Sequence, residues 1–154
     1  MIAALGYLYQ GDYSIPIILI DELKKEGIEV MDLSLGALKA ASLLQILQPD
    51  KLIILTCDKK GKKELRIYSP KIEEDKMSSI MDLYNNLRGY YMDLDSFLKA
   101  SNSLGVLPKD TKIIECEVEN EEGIALSEWG KECKDMMKNK LKELLLVPDS
   151  EKNE

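Results

Sequence analysis

Gly6-Tyr7-Leu8-Tyr9-Gln10-Gly11-Asp12-Tyr13-Ser14 follows the apolar run Met1 to Leu5 and leads into a helix-like pattern from about Ile15. A strand that passes through a glycine-bounded loop into a helix puts that loop at the carboxyl edge of a sheet, where open α/β proteins bind their ligands. The spacing from Gly6 to Gly11 has the outline of a phosphate loop, but Asp12 and Tyr13 stand where Lys and Ser/Thr are needed. A carboxylate repels phosphate, so a nucleotide is not expected. Asp12 suits a metal ion, a cationic group, or the cap of the helix that follows, and the cap is the commonest role for such an acid.

Outward from this loop, the chain alternates strands and helices. Ser14-Ile15-Pro16 reads as a helix start, because proline at the first turn gives up an N–H that has no partner there. Gly27, after Lys24 and Lys25, closes that helix. Ile28 to Met31 reads as a second strand ending at Asp32, and Ser34 or Gly36 opens a helix to about Leu47. That helix is expected to bury Leu38, Ala41, Leu44 and Ile46/Leu47, and Pro49-Asp50 ends it. Leu52-Ile53-Ile54-Leu55 is continuously apolar, as expected of a strand covered on both faces at the centre of a parallel sheet.

Lys59-Lys60-Gly61-Lys62-Lys63 follows, either an anion site or, more simply, a solvated turn. Leu65 to Tyr68 alternates as an edge strand does, and Pro70 to Lys76 reads as a charged linker. Helical spacing recurs over Met77 to Leu87 and again from Tyr90, with Leu94, Phe97, Leu98 and Leu104 on the buried side before Gly105 and Pro108. Ile113 to Val118 is the last strand. Ser127 caps the last helix, where Trp129, Cys133, Met136/Met137, Leu141 and Leu144/Leu145 form a core stripe. The order predicts a three-layer α/β/α sandwich of the phosphorylase/hydrolase-like kind. Its sheet would be five-stranded and mostly parallel, with one antiparallel edge strand. One domain over 1–147 and a disordered charged tail over 148–154 are expected.

Composition excludes several functions. A net charge of −7 disfavours nucleic acid and anionic membrane surfaces as partners. No run approaches a membrane span, and the start lacks a basic lead and a cleavage site, so a cytoplasmic protein is expected. The count of histidines is zero, which removes histidine bases, triads and metal ligands. Cys57, Cys116 and Cys133 are odd in number and widely spaced, so they read as buried thiols and not as a disulfide framework or zinc site.

Five short motifs carry a resemblance. They are Leu5-Gly6 to Gly11-Asp12 before a helix ending Asp21-Glu22-Leu23, Asp32 after the second strand, and Asp50 to Ile54 entering the third. Leu104-Gly105-Val106-Leu107-Pro108 stands before the last strand, and Glu119 to Leu126-Ser127 before the last helix. In this order and spacing, over residues 1 to about 146, the chain resembles the hydrogenase maturation endopeptidase family. The resemblance implies a protein that acts on the large-subunit precursor of a nickel-iron hydrogenase, clipping a C-terminal extension once nickel is in place. No resident cofactor is implied, since the nickel is presented by the substrate protein.

It also implies three metal-sensing positions, which fall here on Tyr13, Thr56 and Tyr90. None of these side chains is a good ligand for a divalent metal. The Asp-Gly-Gly-Thr usual after the second strand is Asp32-Leu33-Ser34-Leu35, keeping only the acid. Two readings follow. In one, the protein is a pseudoenzyme of the family that recognises a hydrogenase or related metalloprotein subunit, with Tyr7, Tyr9, Asp32, Cys57 and Tyr91 in its binding loops. In the other, it is an active metal-dependent peptidase or hydrolase with a relocated oxygen site at Asp12, Asp58 and Asp93.

Overall fold

The computed structural model describes residues 1–34, 36–71 and 94–146. Strand β1 (Ile2–Ala4) passes through a 3-10 turn, Gly11–Ser14, into helix α1 (Ile15–Lys25). Strand β2 (Met31–Asp32), helix α2 (Ala37–Leu47), the long strand β3 (Lys51–Asp58) and strand β4 (Leu65–Tyr68) follow. Helix α3 (Leu94–Ser103), strand β5 (Asp110–Glu117) and helix α4 (Glu128–Leu146) complete the described elements. The sheet is five-stranded in the order β2-β1-β3-β5-β4, parallel throughout except where β4 runs antiparallel to β5 at the edge.

The apolar strand Leu52 to Leu55 is central, as its composition requires, because helices cover both of its faces. On one face α1 and α4 bury Ile15, Leu19, Leu23, Cys133, Met137 and Leu141 against Ile2, Ala4, Leu55 and Ile114. On the other, Ala40, Ala41 and Leu44 of α2 and Phe97 and Ala100 of α3 meet Ala3, Ile54 and Ile113. Phe97 and Leu44 are fully buried. Burial of a side chain of that size contributes about 1.5–3 kcal/mol, so each layer adheres to the sheet through a handful of such anchors.

The structure departs from the sequence reading in several places. Strand β2 is only Met31–Asp32, while Val30, expected within it, packs into the core as an approach to the strand. Ile46 (77% exposed), Leu47 and Leu104 lie on the surface. All three sit at or just past the carboxyl ends of α2 and α3. Asp12 does not cap α1, because Ser14 occupies the N-cap and makes no side-chain cap bond. Cys116 and Cys133 are joined in a disulfide, with Cα atoms 6.1 Å apart. Sequence spacing could not reveal that pair, because β5 and α4 are folded back on one another by the intervening loop. The expected helix over Met77 to Leu87, Tyr90, Tyr91, Asp93 and the tail over 148–154 lie outside the described residues.

Candidate functional site

The loop between β1 and α1 is held by its own acid. Asp12 is fully buried, and its carboxylate accepts from the backbone N–H groups of Glu119 (2.9 Å), Asn120 (3.0 Å) and Ser127 (2.9 Å). It also accepts from the Ser127 hydroxyl at 2.7 Å. Ser127 Oγ in turn accepts the Gly130 N–H at 2.8 Å, so the hydroxyl caps α4 as expected from its place in the sequence. Asp12 therefore caps an assembly more than a hundred residues away. Burial by itself would raise its pKa, but the amides of Asn120, Ser127 and Glu119 and the Ser127 hydroxyl hold it below the ordinary carboxylate value.

Two glycines let this loop approach so closely. Gly11 has φ +56°, and a Cβ there would run into the Asn120 carbonyl. At Gly130 a Cβ would collide with the Asp12 carboxylate itself. The Gly11 N–H donates to the Gly123 carbonyl at 2.9 Å, and Gln10 forms a parallel bridge with Gly123. The first loop and the β5–α4 loop are thus laced into one rim at the carboxyl edge of the sheet.

Beside that rim lies a cleft of about 400 Å³. Tyr7 and Tyr13, edge to face at 6.2 Å between ring centroids, form one wall, and Thr56, Cys57 and Asp58 line it from the end of β3. Leu94, Asp95 and Leu98 of α3 line it too, as do Pro70 and Lys71. Tyr13 and Thr56, two of the three positions singled out by the resemblance, therefore share one cleft. Tyr7, Cys57 and Asp58 are there as well. Tyr9, by contrast, is 71% exposed, and Asp32 accepts the Ser34 N–H at 2.8 Å in the next loop. Neither is among the residues that line the cleft.

Glu115, Lys60 and Tyr68, which also line the cleft, belong to a charged network that the sequence reading missed. Glu115 and Glu117 of β5 are buried, and Arg66 of β4 donates to both, Nε to Glu115 at 2.7 Å and an Nη to Glu117 at 2.8 Å. Lys60 Nζ lies 2.8 Å from Glu115 and over the Tyr68 ring, whose hydroxyl donates to Glu115 at 3.1 Å. The amides of Lys60 and Gly61 donate to Glu117. Burial raises the Glu117 carboxyl, but the Lys60 amide, Arg66 and the Gly61 amide outweigh it and leave the pKa lowered. Burial and the Glu115 charge push the Tyr68 phenol well above its usual value. Each described lysine of the 59–63 turn has a carboxylate partner, among them Lys59 with Glu121 and Lys63 with Glu119. The turn is thus less free than its composition implied. A legible signal existed: two acids two residues apart in an apolar strand require a basic partner on one face.

No group of three or more His, Cys, Asp or Glu side chains suited to hold a metal ion is present among the described residues. Burial, with the charges of Asp12 and Glu115, raises the Cys57 thiol well above its usual value. The donors that line the cleft are thus phenols, a threonine hydroxyl, a half-buried thiol and carboxylates, of which Glu115 is already paired with cations.

The five-stranded mixed sheet flanked by helices matches the fold of the hydrogenase maturation proteases. No protein-family model matches the chain, and no curated protein does. Among solved structures, it is similar to a [NiFe] hydrogenase maturation protease HycI from Thermococcus kodakarensis, with a TM-score of 0.66 and 15% identity over 95% of this chain and 92% of that one. A hydrogenase 2 maturation peptidase from a Thaumarchaeota archaeon gives 0.59 and 19% over 96% and 98%. The hydrogenase maturating endopeptidase HybD from Escherichia coli gives 0.59 and 16% over 91% and 88%. At these identities the likeness is one of fold.

Proposed function

We propose that this protein is a cytoplasmic maturation factor that recognises a nickel-iron hydrogenase subunit, or a related metalloprotein, and that nickel-dependent cleavage is not its activity. The observation that carries this reading is that Tyr13 and Thr56 line the same cleft. A phenol and a hydroxyl stand where the resemblance puts metal-sensing side chains, and at neutral pH neither is an anionic ligand. The overall likeness to maturation proteases such as HycI and HybD supports the partner class. The rim supports a protein partner too: Leu8 (56%), Tyr9 (71%) and Ile124 (79%) are large apolar side chains left exposed around the Gln10–Gly123 bridge. No helix among the described residues is long and apolar enough to cross a membrane.

The competing peptidase reading draws on Asp58, which lines the cleft. Against it, the Asp12 carboxylate already accepts four hydrogen bonds from within the chain. Incubation with a nickel-loaded hydrogenase large-subunit precursor separates the two. Saturable binding without cleavage, weakened by Tyr9→Ala or Ile124→Asp, supports recognition. Cleavage that a chelator stops and Asp58→Ala abolishes supports the relocated site instead.

A further inference from the structure

The rim where the first loop meets the β5–α4 loop is apolar at its centre and acidic around it. Leu8, Tyr9 and Ile124 stand within two residues of the Gln10–Gly123 bridge, and each is more than half exposed. Tyr9 holds φ +64°, a left-handed conformation that a bulky residue keeps only where its surroundings impose it. In the other loop, Asn120 folds the 120–125 turn around its own side chain. Its Nδ2 donates to the carbonyls of Glu122 (2.9 Å) and Ala125 (3.0 Å), and its Oδ1 accepts the Glu122 N–H at 3.3 Å. Ile124 lies within that turn, so its backbone is fixed while its side chain stays in solvent. A surface formed in advance loses little conformational freedom when a partner covers it. Its charge is one-sided. No basic residue occurs in 1–23 or 113–130, whereas Glu119, Glu121, Glu122 and Glu128 are exposed on the second stretch. Lys63 and Lys59 reach Glu119 and Glu121 from the neighbouring turn, but Glu122 enters no ion pair among the described residues.

Building on the reading of the chain as a recognition factor, we propose that this rim is a preformed docking platform for a protein surface with an apolar hollow bordered by lysine or arginine. Leu8, Tyr9 and Ile124 are not among the residues that line the cleft, so the platform is a contact area separate from Tyr13 and Thr56. Tyr9 and Ile124 are its anchors, large side chains whose burial against a partner carries most of the affinity. The surrounding acids choose the partner by charge: they draw in a basic border and turn away like charge. A second copy of this chain would bring the same acids to the contact, and an anionic membrane is repelled in the same way. Asn120 is a positioning residue, acting through the turn that presents Ile124.

The test is binding of the nickel-loaded hydrogenase large-subunit precursor to the immobilised full chain, followed in real time at low and physiological salt, with a melting temperature for every variant. Tyr9→Ala and Ile124→Ala are each expected to weaken binding about tenfold. Glu121→Lys combined with Glu122→Lys is expected to slow association about tenfold at low salt, with little change in dissociation. Asn120→Ala keeps the backbone N–H that donates to Asp12, and is expected to slow association about threefold at an unchanged melting temperature. A lower melting temperature with unchanged association would make Asn120 a structural residue only and counts against a preformed platform. Failure of the native chain to bind the precursor overturns the recognition reading and the platform with it. Binding that Tyr9→Ala and Ile124→Ala leave intact overturns the platform alone, as does association that the charge reversal does not slow. Sedimentation of the native chain as a dimer that Ile124→Asp dissociates would give the rim to a second copy and overturn it as well.

Discussion

Asp12 shows how far a single side chain can act from its place in the chain. Its carboxylate accepts from three backbone amides and a hydroxyl of the β5–α4 connection, all of which become unsatisfied donors if it is removed. Asp12→Asn, which turns an amide group toward those donors, is expected to cost about 2–4 kcal/mol in urea unfolding at pH 7. The pH dependence has a definite sign. The folded-state pKa is lowered, so the stabilisation is complete above the unfolded carboxylate value of about 3.9 and disappears as pH falls through the folded value. The gap between native chain and variant should therefore narrow from pH 4 downward. A gap that stays constant with pH would mean that the charge is not what these donors recognise. Gly130 offers a companion measurement. Glycine to alanine inside a helix ordinarily stabilises by about 1 kcal/mol, but here the added Cβ collides with Asp12. Gly130→Ala is expected to destabilise by about 1–3 kcal/mol, a reversal of sign that thermal melts detect directly.

Strand β5 and its edge partner β4 show what local pattern reveals and what it hides. Strand, helix and layer were legible because apolar periodicity and caps are local: Leu52 to Leu55 read as central, Leu65 to Tyr68 as an edge, Ser127 as a cap, and each is so. The contacts that build the site are not local. Arg66 meets Glu115 across 49 residues, Asp12 meets Ser127 across 115, and no spacing rule spans such gaps. Tyr13, Thr56, Cys57 and Asp58 could be placed at one edge because each lies at the carboxyl end of a strand or in the loop after one. Asp12 was legible as important, yet its partner was hidden by the same distance. The buried pair of glutamates at the edge makes a sharp prediction. With Arg66 replaced by methionine, Glu117 keeps only backbone donors and Glu115 keeps Lys60 and Tyr68. Loss of one partner of a buried pair costs about 3–5 kcal/mol. Because part of the network survives, Arg66→Met should fall near the lower end in chemical denaturation. Restoring stability by adding Glu117→Gln would confirm that the penalty is an uncompensated charge.

Across the whole molecule, the two helical layers are attached to the sheet by different means. The α2/α3 layer packs on the sheet through one apolar cluster, whereas the α1/α4 layer packs through a second and adds the Cys116–Cys133 bond between β5 and α4. The bonded residues are 17 apart in sequence. Closing a loop of about that length removes conformational freedom from the unfolded chain worth about 3 kcal/mol. Reduction should therefore lower the unfolding free energy by about that amount, and the melting temperature by roughly 6–12 °C for a chain of this size. The loss is expected to be uneven in space. Hydrogen exchange on the reduced protein should show protection falling first in α4 and in the 119–127 loop that Asp12 holds, with α2 retaining its protection. That order places the weak seam beside the cleft, because the rim that shapes the cleft hangs on the amino end of α4. Uniform loss across both layers would mean that the bond stabilises only through the unfolded chain, with no bearing on how the cleft is held.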